Sequence, residues 1–97
     1  MNQNTNFAMK KILQKIFDYF LKNKKYQKIS SVEVVYAFTS RFKTAMCQSV
    51  VGIKVKSNIE KNTLNNLINE LKSDVKKITD EYFGHSVCVL DVIFENN

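Results

Sequence analysis

Proline is absent from these 97 residues, glycine occurs only at positions 52 and 84, and histidine only at position 85. Two isolated glycines cannot build a phosphate-cradling loop, because such loops need several residues without side chains beside the ligand. The G-x-S-x-G turn that would expose a nucleophilic serine is also missing. No uncharged apolar run approaches the roughly 18 residues of a membrane-crossing helix. Lysines recur on every turn of the N-terminal amphipathic stretch, unlike the continuous apolar core of a signal peptide. The expectation is a soluble chain with no membrane span. Two cysteines, Cys47 and Cys88, in a lysine-rich chain without a secretory leader predict reduced thiols and a cytoplasmic setting, the alternative being a bridge if their strands are neighbours.

What is present suffices for one domain spanning residues 1–97: 44% of the residues are hydrophobic, which is enough for a core, and 25% are charged, which is too few for a disordered chain. Residues 1–6 are polar and are expected to fray. Acidic residues are scarce at one end. Residues 1–28 hold seven lysines (10, 11, 15, 22, 24, 25 and 28) against Asp18 alone, whereas residues 29–97 balance eight basic groups with eight acids. The whole net charge of +6 is therefore N-terminal. Clustered lysines raise the local potential and attract phosphates, although a charge run is more often a solvated face.

Met9, Ile12, Leu13, Ile16, Phe17 and Phe20 recur at helical spacing and predict a helix over about residues 7–22, with lysines on the opposite face. "SSVEVVYAFTS" switches to period two. Strict alternation places Val32, Val34, Tyr36 and Phe38 on one face of a strand and Glu33, Val35, Ala37 and Thr39 on the other. "AMCQSVVGIKVKS" continues as its hairpin partner, in which Gly52 marks a bulge or a close backbone approach. Ser57-x-x-Glu60 has the form of a capping box ahead of a long helix with Leu64, Leu67, Ile68, Leu71, Val75, Ile78 and Tyr82 at helical spacing, closed by Gly84. The last strand, "HSVCVLDVIFE", alternates Cys88, Leu90, Val92 and Phe94 with Val87, Val89, Asp91 and Ile93. The fold class is α+β, a two-layer sandwich of order α-β-β-α-β with two helices on one face of a three-stranded sheet, the last strand parallel to the second.

Val35, Ala37, Val87, Val89 and Ile93, together with Val50, are expected on the sheet face away from the helices. That face is more apolar than water tolerates easily, so a second copy of the chain is the expected partner there. His85, Cys88 and Cys47 are residue types that bind zinc. In an extended segment, however, positions 85 and 88 point to opposite faces, and no fourth ligand is evident. Asp80 and Glu81 diverge on a helix, and Glu70 with Asp74 is a like-charge pair one turn apart. No metal, no cofactor and no catalysis are expected.

Binding remains. Lys10, Lys11, Lys15, Lys22, Lys24, Lys25 and Lys28 form the basic region, with Arg41, Phe42 and Lys43 at the hairpin tip. Phosphate contacts with base stacking on an exposed aromatic such as Phe42 or Tyr26 suit this composition. Membrane-surface binding would need the same apolar stripe that must cover the sheet, and is disfavoured. The element order, with "KISSVEVV" after a basic amphipathic helix and before a second strand, resembles ribosome-binding factor A. That resemblance implies a KH-like fold and docking on the small ribosomal subunit. The chain departs from that family in lacking the small-residue motif that kinks its helix, the proline before the last strand and the customary residues after it. It also lacks the G-x-x-G loop of KH domains generally. The same order is similar to the cytoplasmic dimerisation domain of cation-efflux transporters, with "NTLNNLINEL" in the place of the second helix, but without that family's metal-ligand histidines. Expected, then, is a non-catalytic module that docks on nucleic acid or a ribonucleoprotein, the alternative being a self-associating assembly or regulatory domain.

Overall fold

Helix α1 (Phe7–Phe20) begins where Asn6 supplies a cap: its side-chain oxygen accepts the Met9 amide at 3.0 Å, while its own N–H donates to the Ala37 carbonyl at 2.7 Å. Asn6, expected to fray, is therefore tied at both its side chain and its backbone. The computed structural model describes residues 6–44 and 47–96, the side chains of 40–44 excepted. After α1 come a short 3₁₀ turn (Lys24–Tyr26), strands β1 (Ile29–Thr44) and β2 (Cys47–Ser57), helix α2 (Lys61–Phe83) and strand β3 (Val87–Asn96). The sheet order is β1-β2-β3, antiparallel between β1 and β2 and parallel between β2 and β3. Helix α1 packs over β1 and α2 over β3. This is the expected α-β-β-α-β sandwich.

Both helices bury the middle of the stripes that their spacing announces, while Ile12 and Tyr82 on those stripes stay exposed. Leu13 and Phe17 from α1 join Leu64, Ile68, Leu71 and Val75 from α2 over Val32, Val34, Val51, Ile53 and Val55 of the sheet. At the end of α2 Gly84 takes the left-handed conformation (φ 73°), which a side chain would strain. The start of α2 differs from the capping-box expectation. Ser57 is still paired in β2, and its hydroxyl donates to the Lys28 carbonyl (2.6 Å) and accepts the Ile59 amide (3.1 Å). Glu60 is the helix cap residue and makes no side-chain capping bond. The serine thus fastens the chain before β1 to the end of β2, and cannot also reach the helix.

Strict alternation fails in the middle of the sheet, and one row explains why. The pairing of β1 with β2 shifts between Val34 and Tyr36, and that of β2 with β3 shifts between Val51 and Gly52, so that Tyr36, Gly52 and Asp91 align across the three strands. Each bulge adds one residue, and one residue reverses the side chains on one side of it relative to those on the other. Ala37, Val87 and Val89, expected on the open face, are consequently buried under the helices. Tyr36 and Phe38 move to the open face instead, with their rings stacked at 5.6 Å. In β3 Val87, Val89, Val92 and Phe94 pack with the core, while Leu90 and Ile93 stay exposed. Of the five residues expected at an interface, Val35 and Ile93 are exposed.

Gly52 permits that row. A methyl group there would lie 2.6 Å from Cζ and 2.7 Å from Cδ2 of Tyr36, so the ring lies flat over the glycine and its hydroxyl donates to the Asp91 carboxylate. Burial and then Asp91 push the Tyr36 phenol up to about 12. The outer edge of β1 is closed by α1. Gln14 donates to the Val32 carbonyl at 2.7 Å and accepts the Val34 amide at 2.8 Å, so that its side chain substitutes for a neighbouring strand. Cys47 and Cys88, expected as free thiols, are joined as a disulfide, their Cα atoms 5.7 Å apart on the neighbouring strands β2 and β3. No helix of the described residues is long and apolar enough to cross a membrane.

Candidate functional site

Among the described residues, six lysines of the N-terminal segment remain without a carboxylate. Lys11 and Lys15 stand one turn apart on the side of α1 opposite Leu13 and Phe17, and Lys22, Lys24 and Lys28 follow at its C-terminal end; all five are exposed, and Lys10 is half-buried. Among the described residues none of these six lies within ion-pair distance of an acid. Asp18, the segment's only acid, is taken up by the Gln14 amide at 3.0 Å. Positive charge is thus gathered along one helix face and the turn after it. The side chains of Arg41, Phe42 and Lys43, the hairpin-tip part of the expected site, lie outside the described residues.

Two expected members of the site are engaged elsewhere. Lys25 reaches α2, with its ammonium 3.0 Å from Asp74 and 3.8 Å from Glu70. Tyr26, expected as an exposed stacking ring, is 1% exposed, and its hydroxyl donates to the same Asp74 carboxylate. Burial opposes ionisation of Asp74, but the hydrogen bonds from Tyr26 and Lys25, with the Lys25 charge, outweigh it and hold the carboxyl below its usual range. The Tyr26 phenol is pushed far up, by burial first and then by Asp74. The hydrogen bond and charge of Asp74 likewise raise Lys25. This cluster fixes the turn after α1 against α2, and so sets where Lys22, Lys24 and Lys28 stand.

The aromatic component of the surface comes from residues that the expected site omitted. Tyr19 is 66% and Tyr82 73% exposed, and both border an open depression of about 480 Å³ between α1 and α2. Ile12, Ile16 and Ile78 form the rest of its apolar lining, and Lys15 stands at its margin. Tyr19 also borders a second depression of about 310 Å³, which includes Lys22 and Lys25. The only sequence signal was that Tyr19 lies off the core stripe of α1. Tyr82 fits the stripe of α2, and tertiary placement alone leaves it uncovered near the helix end.

His85 does not join a metal set, since the two cysteine sulfurs bond to each other. Its Nε2 lies 3.1 Å from Ser49 Oγ, and Ser49 is also 3.4 Å from the Thr39 hydroxyl. A serine beside a histidine has the form of a nucleophile and its base, but Ser49 is fully buried, so no substrate carbonyl can approach its oxygen. The pair satisfies polar groups at the sheet end, as Thr79 does nearby by accepting the Val87 amide at 3.0 Å. No family model, curated protein or solved structure matches the chain.

Proposed function

We propose that this protein is a non-catalytic docking module for nucleic acid or a ribonucleoprotein, which holds phosphates on the lysines of α1 and the following turn. One observation carries the reading: Lys11, Lys15, Lys22, Lys24 and Lys28 are exposed on one contiguous segment and unmatched by carboxylates, while the rest of the chain is charge-balanced. An unneutralised cluster of this kind draws polyanions by releasing their counterions, without reading sequence. The small ribosomal subunit, the target implied by the likeness to ribosome-binding factor A, offers phosphates in that form. Binding should weaken steeply with salt. Replacing Lys11, Lys15 and Lys22 by glutamine should lower the slope of log affinity against log salt by roughly 0.7–0.9 per lysine. Lys25→Gln should leave that slope nearly unchanged, because Asp74 already matches its charge. Failure of the wild-type protein to bind RNA or DNA at low salt would remove the proposal.

Self-association is the second reading, supported by the exposed Leu90 and Ile93 on β3. That strand is the sheet edge which α1 does not close. Sedimentation at high concentration should then show a dimer that Ile93→Asp dissociates, and a monomer throughout would rule it out.

A further inference from the structure

We infer that the cleft between α1 and α2 makes this surface selective for unpaired nucleic acid, with Tyr19 and Tyr82 as platforms on which bases stack. The inference rests on the polyanion reading above and adds the class of ligand. Large aromatic rings carry much apolar area and are usually largely buried, yet these two stand mostly in water on facing helices. They border one depression of about 480 Å³, whose margin includes Lys15. Tyr19 is shared with the adjoining depression, where Lys22 and Lys25 stand. Rings and ammonium groups therefore interleave along one path formed by Tyr82, Lys15, Tyr19 and Lys22. A flexible single strand satisfies both, with its phosphates on the lysines and its bases on the ring faces. A duplex keeps its bases stacked inside and offers the lysines only its backbone, so the rings gain nothing from it. Three acids border this path and each has a partner: Asp18, beside Tyr19 on α1, accepts the Gln14 amide, Asp74 is held by Tyr26 and Lys25, and Glu70 lies 3.8 Å from Lys25.

The test is fluorescence anisotropy at low salt with a labelled mixed-sequence 12-nucleotide single strand and the duplex of the same sequence. The single strand should bind more tightly. Tyr19→Ala and Tyr82→Ala should each weaken it by roughly five- to a hundredfold, the loss of one stacked base, while leaving duplex affinity unchanged. Tyr19→Phe should retain most of the affinity, because the ring face and not the hydroxyl carries the contact. Thermal unfolding should show that these variants keep the fold, both rings being exposed. Equal affinity for the two polymers, or alanine variants that bind the single strand as the wild type does, would overturn the stacking inference and leave the lysine reading intact. No binding of either polymer would overturn both.

Discussion

Adding one methyl group at Gly52 should destabilise this protein, although the same change in an ordinary strand is favourable. The new carbon would stand 2.6 Å from Cζ and 2.7 Å from Cδ2 of Tyr36, inside contact distance, so the ring must leave its place across β2. Leaving breaks the hydrogen bond to Asp91 and the stack on Phe38. A hydrogen bond to a charged acceptor, discounted for its solvent exposure, contributes about 1 kcal/mol. An aromatic pair adds about 0.5–1.5 kcal/mol beyond its buried area. Against these stands the reduced backbone entropy of alanine in the unfolded chain, a gain of about 0.5–1 kcal/mol. The net cost of Gly52→Ala is about 1 kcal/mol, which for a domain of this size lowers the melting temperature by roughly 4–8 °C. A double-mutant cycle isolates the cause. In a Tyr36→Ala background the clash is gone, and Gly52→Ala should become neutral or stabilising. Urea midpoints for the four proteins measure it. If Gly52→Ala stabilises the wild type, or costs the same with and without the Tyr36 ring, the account of this row is wrong.

Reduction of the Cys47–Cys88 bond, which closes a 41-residue separation, should cost about 4 kcal/mol by loop-closure entropy; an identical urea midpoint with and without dithiothreitol would contradict this. Gln14→Ala removes two hydrogen bonds from the outer edge of β1 and should cost about 1–2 kcal/mol in chemical denaturation. Because the Asp74 carboxyl is held below its usual range when folded, the stability it lends is present above about pH 4 and lost as pH falls through the lower folded value. Asp74→Asn should therefore flatten the acid limb of a stability–pH profile. The raised Tyr36 phenol works at the other end: its contribution is complete below about pH 10 and lost as pH rises to about 12. Asp91→Asn should bring that titration down, as read from phenolate absorbance.

Element order, helix faces and the location of excess charge follow from local chemistry and are legible in the chain itself. Helical spacing marks Leu13, Phe17, Leu64, Ile68, Leu71 and Val75 as core, because the helix period is set by its own backbone. The lysine run of residues 10–28 needs no partner to be recognised, and Gly52 signals a close approach before its occupant is known. Three things were decided only by packing. The inserted residues at the Tyr36–Gly52–Asp91 row reversed the faces of Ala37, Val87 and Val89, since a bulge is a property of two paired strands and the apolar pattern of either sequence alone does not mark it. Lys25 and Tyr26 left the basic surface for Asp74, a partner 49 and 48 residues further along the chain that no local pattern connects to them. Tyr82 fits the stripe of its helix as well as any core residue does. Whether a stripe position is covered depends on how far the opposing layer extends, and here that layer leaves its ring in water beside Tyr19.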